Sequence, residues 1–272
     1  MKSNGNTLKE LGKILWTIES LDEAIKDNPN NVDLYNEKCK IFCGIKRYQE
    51  AIECYDEAIK LNPNNAKIHD NKGLVFHSLQ RYLEAIECYD EAIKINPNNA
   101  TLYDKKGIAF TNLRRYPEAI ECFDEAIKLN LRNSNIYLKK GYLLNELGRY
   151  QEALESYDEA IKINPNNDKL YNYKADILIV LERYQEVIPC YTMAIKIIPN
   201  NPLYICKRAK AFYNLRQEAR ALEDFNRAYS LKQEKQGSVF TKNEWKLSEN
   251  EINFINDLLG RERIELLQKM QI

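Results

Sequence analysis

Apolar residues along this chain recur at the three-and-four spacing of helices, in short segments set apart by polar breaks. Residues 66–79 carry one such segment and residues 82–95 a second, joined by the polar pair Gln80 and Arg81. The pair then returns every 34 residues. Glu-Ala-Ile-Glu-Cys-Tyr-Asp-Glu-Ala-Ile-Lys begins at Glu50 and at Glu84, recurs from Glu118 with Phe123 in place of the tyrosine, and has variants from Glu152 and Glu186. An aromatic runs through Tyr55, Tyr89, Phe123, Tyr157, Tyr191 and Phe225, and an alanine stands three residues after each, Ala58 to Ala228. Five of the eight prolines, at 29, 63, 97, 165 and 199, share the lattice. Each is followed by asparagine, which reads as the stop of one helix and the cap of the next. The pattern predicts an all-α chain of six helix-turn-helix units.

With Ala66 as position 1, glycine stands at position 8 in Gly73, Gly107 and Gly141, and Cys39, Ala175 and Ala209 replace it elsewhere. A small residue there lets the partner helix approach, and the aromatic at position 24 fills the space beside it. Positions 1, 4, 8 and 11 of each first helix are expected in the core, which leaves 2, 5, 6, 9, 12 and 13 as the opposite face. One helix pair cannot bury its apolar side alone, so neighbours must stack.

These features resemble the tetratricopeptide repeat family: Gly73, Phe76, Tyr82, Ala85, Tyr89, Ala92 and Pro97 fall on its signature positions, and the likeness runs from about residue 32 to 231. Two departures mark a sub-type. Position 4 holds Tyr35, His69, Tyr103, Tyr137, Tyr171 and Ile205 instead of tryptophan, and position 7 holds Lys38, Lys72, Lys106, Lys140, Lys174 and Arg208 instead of leucine. The resemblance implies a right-handed α-α superhelix (a TPR solenoid) with capping helices at both ends, whose first helices line a concave groove that binds a partner. The carboxylate clamp of some relatives is not carried over, because asparagine never occupies position 9.

The expected organisation is an N-terminal capping helix, a partial repeat, in residues 1–31; six repeats in 32–234 with no internal boundary; and a linker with a C-terminal capping helix in 235–272. Ser248 and Glu251 form a capping box ahead of Ile252, Ile255, Leu259, Leu266 and Met270 on one helical face. Trp16 and Trp245, both outside the repeats, are expected to anchor the caps. Leu131 replaces the lattice proline; drift at a tolerated site explains it, with a joint between repeats three and four as the sharper reading.

Forty basic and forty acidic side chains leave no net charge, so no global field exists to hold nucleic acid or an anionic membrane. No run is long enough for a signal peptide or a membrane span, and the seven cysteines show neither a C-x-x-C pair nor a disulfide framework. A reducing, cytoplasmic setting is the expectation. His69 and His77 lie eight apart without a nucleophile or a metal motif, so no enzyme, no cofactor and no metal is expected. His69 reads as a core-edge residue, His77 as solvated, and the recurring Asp56-Glu57 type of pair as an outer solvated face.

Function is therefore read as binding. The face opposite the core offers Leu74, Ile108 and Tyr142 as an apolar row with Leu138 beside it, Lys105 and Lys139 along the edge, and Lys40, Asn71, Tyr173, Lys207 and Lys210 farther along. The alternative is that these side chains simply touch adjacent repeats. The expected partner is an extended or helical protein segment with apolar anchors and some acidic residues. The rivals are self-association or self-regulation through the C-terminal helix, and RNA binding through Lys105, Lys106, Lys139 and Lys140, which the neutral charge disfavours.

Overall fold

A computed structural model describes residues 3–129 and 132–235. Leu131, Trp245 and the expected C-terminal helix lie outside the described residues. Thirteen helices and no strand occur among those described: α1 Ser3–Asp27, α2 Val32–Gly44, α3 Tyr48–Leu61, α4 Ala66–Ser78, α5 Tyr82–Ile95, α6 Ala100–Asn112, α7 Tyr116–Lys128, α8 Ser134–Glu146, α9 Tyr150–Ile163, α10 Asp168–Val180, α11 Tyr184–Ile197, α12 Pro202–Asn214 and α13 Glu218–Lys235. The chain is an all-α helical repeat protein. Although the lattice is continuous in sequence, the chain forms two compact units, residues 1–136 and 137–272. In the first, α2/α3, α4/α5 and α6/α7 are the helix pairs, with α1 against α2, α3 against α4 and α5 against α6. In the second, α10/α11 and α12/α13 are pairs, with α9 against α10 and α11 against α12.

Five of the six first helices start on the second asparagine of the Asn-Asn signal, and α8 starts after Arg132-Asn133. The side chains of Asn31, Asn65, Asn99, Asn167 and Asn201 accept the N–H two residues on, satisfying one donor the helix leaves open. Each first helix ends in a Schellman turn. In the second repeat Gln80 N–H donates to His77 O and Arg81 N–H to Phe76 O, and the other five repeats copy both bonds. The turn needs a left-handed residue at position 15, filled by Lys46, Gln80, Arg114, Glu182 and Arg216 at φ 55–61° and by Gly148 at φ 72°. The arginine that follows stacks on the ring it closes over: Arg47, Arg81 and Arg115 lie 5.0, 4.6 and 4.7 Å from the centroids of Phe42, Phe76 and Phe110. It also pairs with the glutamate three residues on, as Arg115 does with Glu118 at 2.7 Å, which pulls that carboxyl below its usual range.

The core confirms positions 8, 20, 24 and 27. Ala85, Ala119, Ala153 and their companions at 20 and 27 are buried, and Tyr89, Phe123, Tyr157 and Tyr191 are 0–1% exposed. A Cβ built on Gly73, Gly107 or Gly141 would lie 2.6, 2.7 or 2.9 Å from the facing ring, closer than carbon atoms pack. Full burial of such a ring is worth about 2–3 kcal/mol, against about 0.2–0.5 for an exposed three-apart ion pair, so the packing decides the fold and the surface pairs decorate it.

Three expectations are corrected. Position 1 is largely half-buried, whereas positions 3 and 10 are core: Ile68, Leu102, Ile136 and Leu170, with Val75, Ala109, Leu143 and Ile177, are 0–4% exposed. The first helix packs on its own partner and on the neighbouring repeat, so its apolar stripe is wider than one face. Trp16 does not anchor the N-terminal helix; it is 70% exposed beside Leu15, and Ile18 and Leu21 hold α1 instead. The recurring aspartate at position 25 is no mere solvated group: Asp22, Asp56, Asp90 and Asp158 pair with Lys38, Lys72, Lys106 and Lys174, the position-7 lysine of the following repeat. The lysine stem lies along the Phe ring at position 11, which accounts for the loss of the family leucine.

The last junction is wired differently. Thr192 stands at position 25 of repeat five, and Arg208 turns instead to Asp224 of its own repeat, through two bonds of 2.7 and 2.8 Å, while a third reaches Thr192 Oγ1 at 3.1 Å. Asp224 is only 5% exposed, so the bidentate arginine is what makes its burial tolerable.

Two substitutions test this account by urea denaturation. Gly107→Ala is expected to lose about 1–2 kcal/mol even though alanine is the better helix former, because the overpacking cost exceeds the propensity gain. Arg114→Gly is expected to gain about 0.5–1 kcal/mol by removing the left-handed strain.

Candidate partner-binding face

The eleven residues named above fall into two sets, five on α2, α4 and α6 of the first unit and six on α8, α10 and α12 of the second.

In the first unit Lys40 is exposed on α2, and Asn71 is half-buried on α4. Leu74 is 40% exposed, and Ile108 on α6 is half-buried. Lys105 does not stand as an open charge. Its ammonium donates to both oxygens of Asp70 at 2.6 and 2.8 Å, with both side chains largely buried at 23% and 19% exposure. A parallel link lies two turns on: Asn112 Nδ2 is 3.2 Å from His77 Nε2, and the imidazole meets Tyr82 edge-on at 5.2 Å. His77 is therefore half-buried and partnered, not solvated, and burial lowers its pKa by disfavouring the imidazolium. His69 is the core-edge residue expected, 9% exposed with Nε2 3.0 Å from Pro63 O.

In the second unit Leu138 and Lys139 are half-buried on α8, while Tyr142 is 46% exposed. Tyr173 on α10 is 37% exposed and stacks on buried Tyr157 with centroids 6.0 Å apart. On α12, Lys210 is exposed, and Lys207 donates to Asp176 Oδ1 at 2.7 Å and Asn172 Oδ1 at 3.3 Å. Tyr191 O–H donates to the same Asp176 oxygen at 2.9 Å. Burial first, and the neighbouring Asp176 charge second, push that phenol far above its usual pKa, so it stays a donor at all working pH values. Tyr204 donates to Asp168 and stacks on Tyr191 at 6.1 Å.

Asp70, His77, Asn112, Asn172 and Asp176 are the residues of these faces that patterning alone passes over. The signal for some of them is a spacing of 35, one lattice step plus one: Asp70 to Lys105, His77 to Asn112, and Asn172 to Lys207. Such links zip neighbouring first helices together. What remains on offer in each unit is apolar: an aliphatic patch at Leu74 and Ile108 in the first, a tyrosine patch at Tyr142 and Tyr173 in the second.

Among the described residues no group of three or more His, Cys, Asp or Glu side chains could hold a metal ion. No described helix is long and apolar enough to cross a membrane.

Comparison with known proteins gives a consistent result. Residues 105–168 match a family model described as tetratricopeptide repeat, and residues 40–80 and 73–113 match one described as TPR repeat. No curated protein gives a significant sequence match. Among solved structures, the C-terminal part of a TPR repeat-containing protein from Cytophaga hutchinsonii superposes with a TM-score of 0.68 at 17% identity, covering 86% of this chain and 98% of that one. YrrB, described as a TPR protein with an unusual peptide-binding site, gives 0.58 at 19% identity over 68% of this chain and 95% of its own. MamA gives 0.59 at 19% identity over 65% and 96%.

The internal pairing can be read by a double-mutant cycle. Lys105→Ala is expected to cost about 2–3 kcal/mol in thermal or urea unfolding because it strands a largely buried carboxylate; adding Asp70→Ala should return at least half of that loss.

Proposed function

As the chain belongs to the tetratricopeptide repeat family, we propose that it is a non-catalytic scaffold that holds a segment of a partner protein against the open face of its first helices. The observation that carries this reading is the exposure of Leu74 in one unit and of Tyr142 and Tyr173 in the other, on the helix faces that make no core. YrrB, similar in fold, is described as having a peptide-binding site, which supports a peptide or a helical segment as the occupant.

The partner's chemistry follows from what the face has left to give. Lys105 and Lys207 are answered by Asp70 and Asp176, so acidic residues of a partner would find little unmatched positive charge at those two positions. Apolar and aromatic anchors supply the affinity; acidic residues add contacts at Lys40. Nucleic acid is a poor fit for the same reason, since Lys105 and Lys106 are both paired. In this reading α1, whose Asp22 serves Lys38 as each position-25 aspartate serves the next repeat, is a partial repeat closing residues 1–31, and residues 32–234 are the six repeats. No disulfide joins the seven cysteines, which suits a reducing, cytoplasmic setting. Self-association is the second reading, favoured by the adjacent exposure of Leu15 and Trp16 on α1.

The test is affinity capture with mass spectrometry, followed by calorimetry on the captured segment. Leu74→Ser with Ile108→Ser, and separately Tyr142→Ser with Tyr173→Ser, are each expected to weaken binding about tenfold or more, equivalent to about 1.4 kcal/mol, with the helical circular dichroism signal retained. Affinity is expected to change by less than about threefold between about 0.05 and 0.3 M salt. Unchanged affinity in both double variants would remove the proposal, and a concentration-dependent mass by sedimentation, lost in Trp16→Ser, would put self-association in its place.

A further inference from the structure

The first repeat differs from the other five at one buried spot. In the second repeat position 8 of the first helix and position 23 of the second stand side by side across the helix pair, and the 34-residue lattice carries the same two positions through all six repeats. The occupants are Gly73 with Cys88, Gly107 with Cys122, Gly141 with Ser156, Ala175 with Cys190, Ala209 with Asp224, and, in the first repeat alone, Cys39 with Cys54. The distance between the two positions can be taken from the second repeat, where a Cβ on Gly73 would stand 3.2 Å from the Cβ of Cys88. Disulfides need a Cβ separation of about 3.5–4.5 Å, a few tenths of an ångström away. In the first repeat both thiols are buried, and Cys54 donates to the Tyr35 carbonyl at 3.2 Å.

We propose that Cys39 and Cys54 are a reversible disulfide site that ties α2 to α3 when the protein meets a low-molecular-weight disulfide of the glutathione class. The site is independent of the scaffold reading and goes beyond it. Cys54 is the entry point: it is 7% exposed, Cys39 is fully buried, and Cys54 sits near the Lys38 ammonium, which favours its thiolate. The Cys54 thiolate attacks one sulfur of the reagent, breaking its S–S bond and releasing one thiolate. Cys39 gives up its proton to solvent and attacks the Cys54 sulfur, releasing the second thiolate. Two protein thiols and one small disulfide thus become one protein disulfide and two small thiols, with two electrons passing from protein to reagent. The other repeats have one thiol or none at this spot, so the reaction there stops at a mixed disulfide. Burial pushes the thiols of Cys88, Cys122 and Cys190 up to about 11, and the neighbouring Cys54 together with burial raises Cys39 as well, so Cys54 is the thiol placed to attack first.

The experiment treats the full chain with excess oxidised glutathione, alkylates it under denaturing conditions and reads intact mass and a peptide map. Wild type is expected to lose two of its seven alkylatable thiols, to carry a 39–54 cross-linked peptide, and to recover both on dithiothreitol. Cys39→Ala and Cys54→Ser place residues that the same lattice positions already hold in Ala175 and Ser156, so both variants keep the fold, and neither should form the cross-link. Cys88→Ser should form it as wild type does. Seven alkylated thiols in oxidised wild type, a stable glutathione adduct on Cys54, or an equal thiol loss in Cys39→Ala would each overturn the proposal.

Discussion

In three of the six repeats the two helices meet where there is no room for a side chain, and the rest of the stack is arranged around that contact. At position 8 the facing ring takes the space a Cβ would use, so the helix backbones come as near as they can, and the ring is sealed from water by the backbone it touches. The close approach sets how the second helix leans on the first, which in turn decides that positions 3 and 10 reach the neighbouring repeat. Where alanine or cysteine stands at position 8, in Ala175, Ala209 and Cys39, the residue is still fully buried, so the same constraint is met with a slightly wider fit.

The open face of the first helices is what this packing leaves over. Since each first helix is used on two sides, only a narrow band of it remains open, and part of that band is spent on links to the next first helix. A lysine facing a groove is usually taken as a seat for a partner's carboxylate. Here Asp70 and Asp176 take two of those seats, and the charge that looks available from a helical wheel is largely internal. On the proposed reading, selectivity rests on the shape and polarisability of aliphatic and tyrosine surface, which differ between the two units.

Much of the architecture was legible from residue spacing. The 34-residue lattice set helix number, the position of each turn and the pairing of small with large residues, because these depend on local geometry repeated six times. The residues that patterning passed over depend on what lies one repeat away. Val75 and Ile68 looked like ordinary stripe members until the neighbouring helix covered them, and His77 gained a partner in Asn112 that no single helix reveals. Trp16 misled because a large apolar residue outside a repeat invites an anchoring role, whereas the register of α1 turns Ile18 and Leu21 inward and leaves the indole outside. The open face itself was found by subtraction, and its charge state was not, since a spacing of 35 carries no signal within one helix.

The change of wiring at the last junction gives the array a direction. Units joined by a lysine that looks backward to an aspartate are interchangeable members of a series: one can be copied or excised, and the seam closes with the same chemistry. The final unit obeys another rule, for Arg208 finds its carboxylate at home in Asp224 and asks its predecessor only for a hydroxyl, which Thr192 supplies. Set after a unit ending in aspartate, it would leave that acid unanswered; followed by a lysine-bearing unit, repeat five would leave the lysine unanswered. Residues 192, 208 and 224 therefore act as punctuation, admitting growth of the series up to repeat five and setting repeat six apart from it.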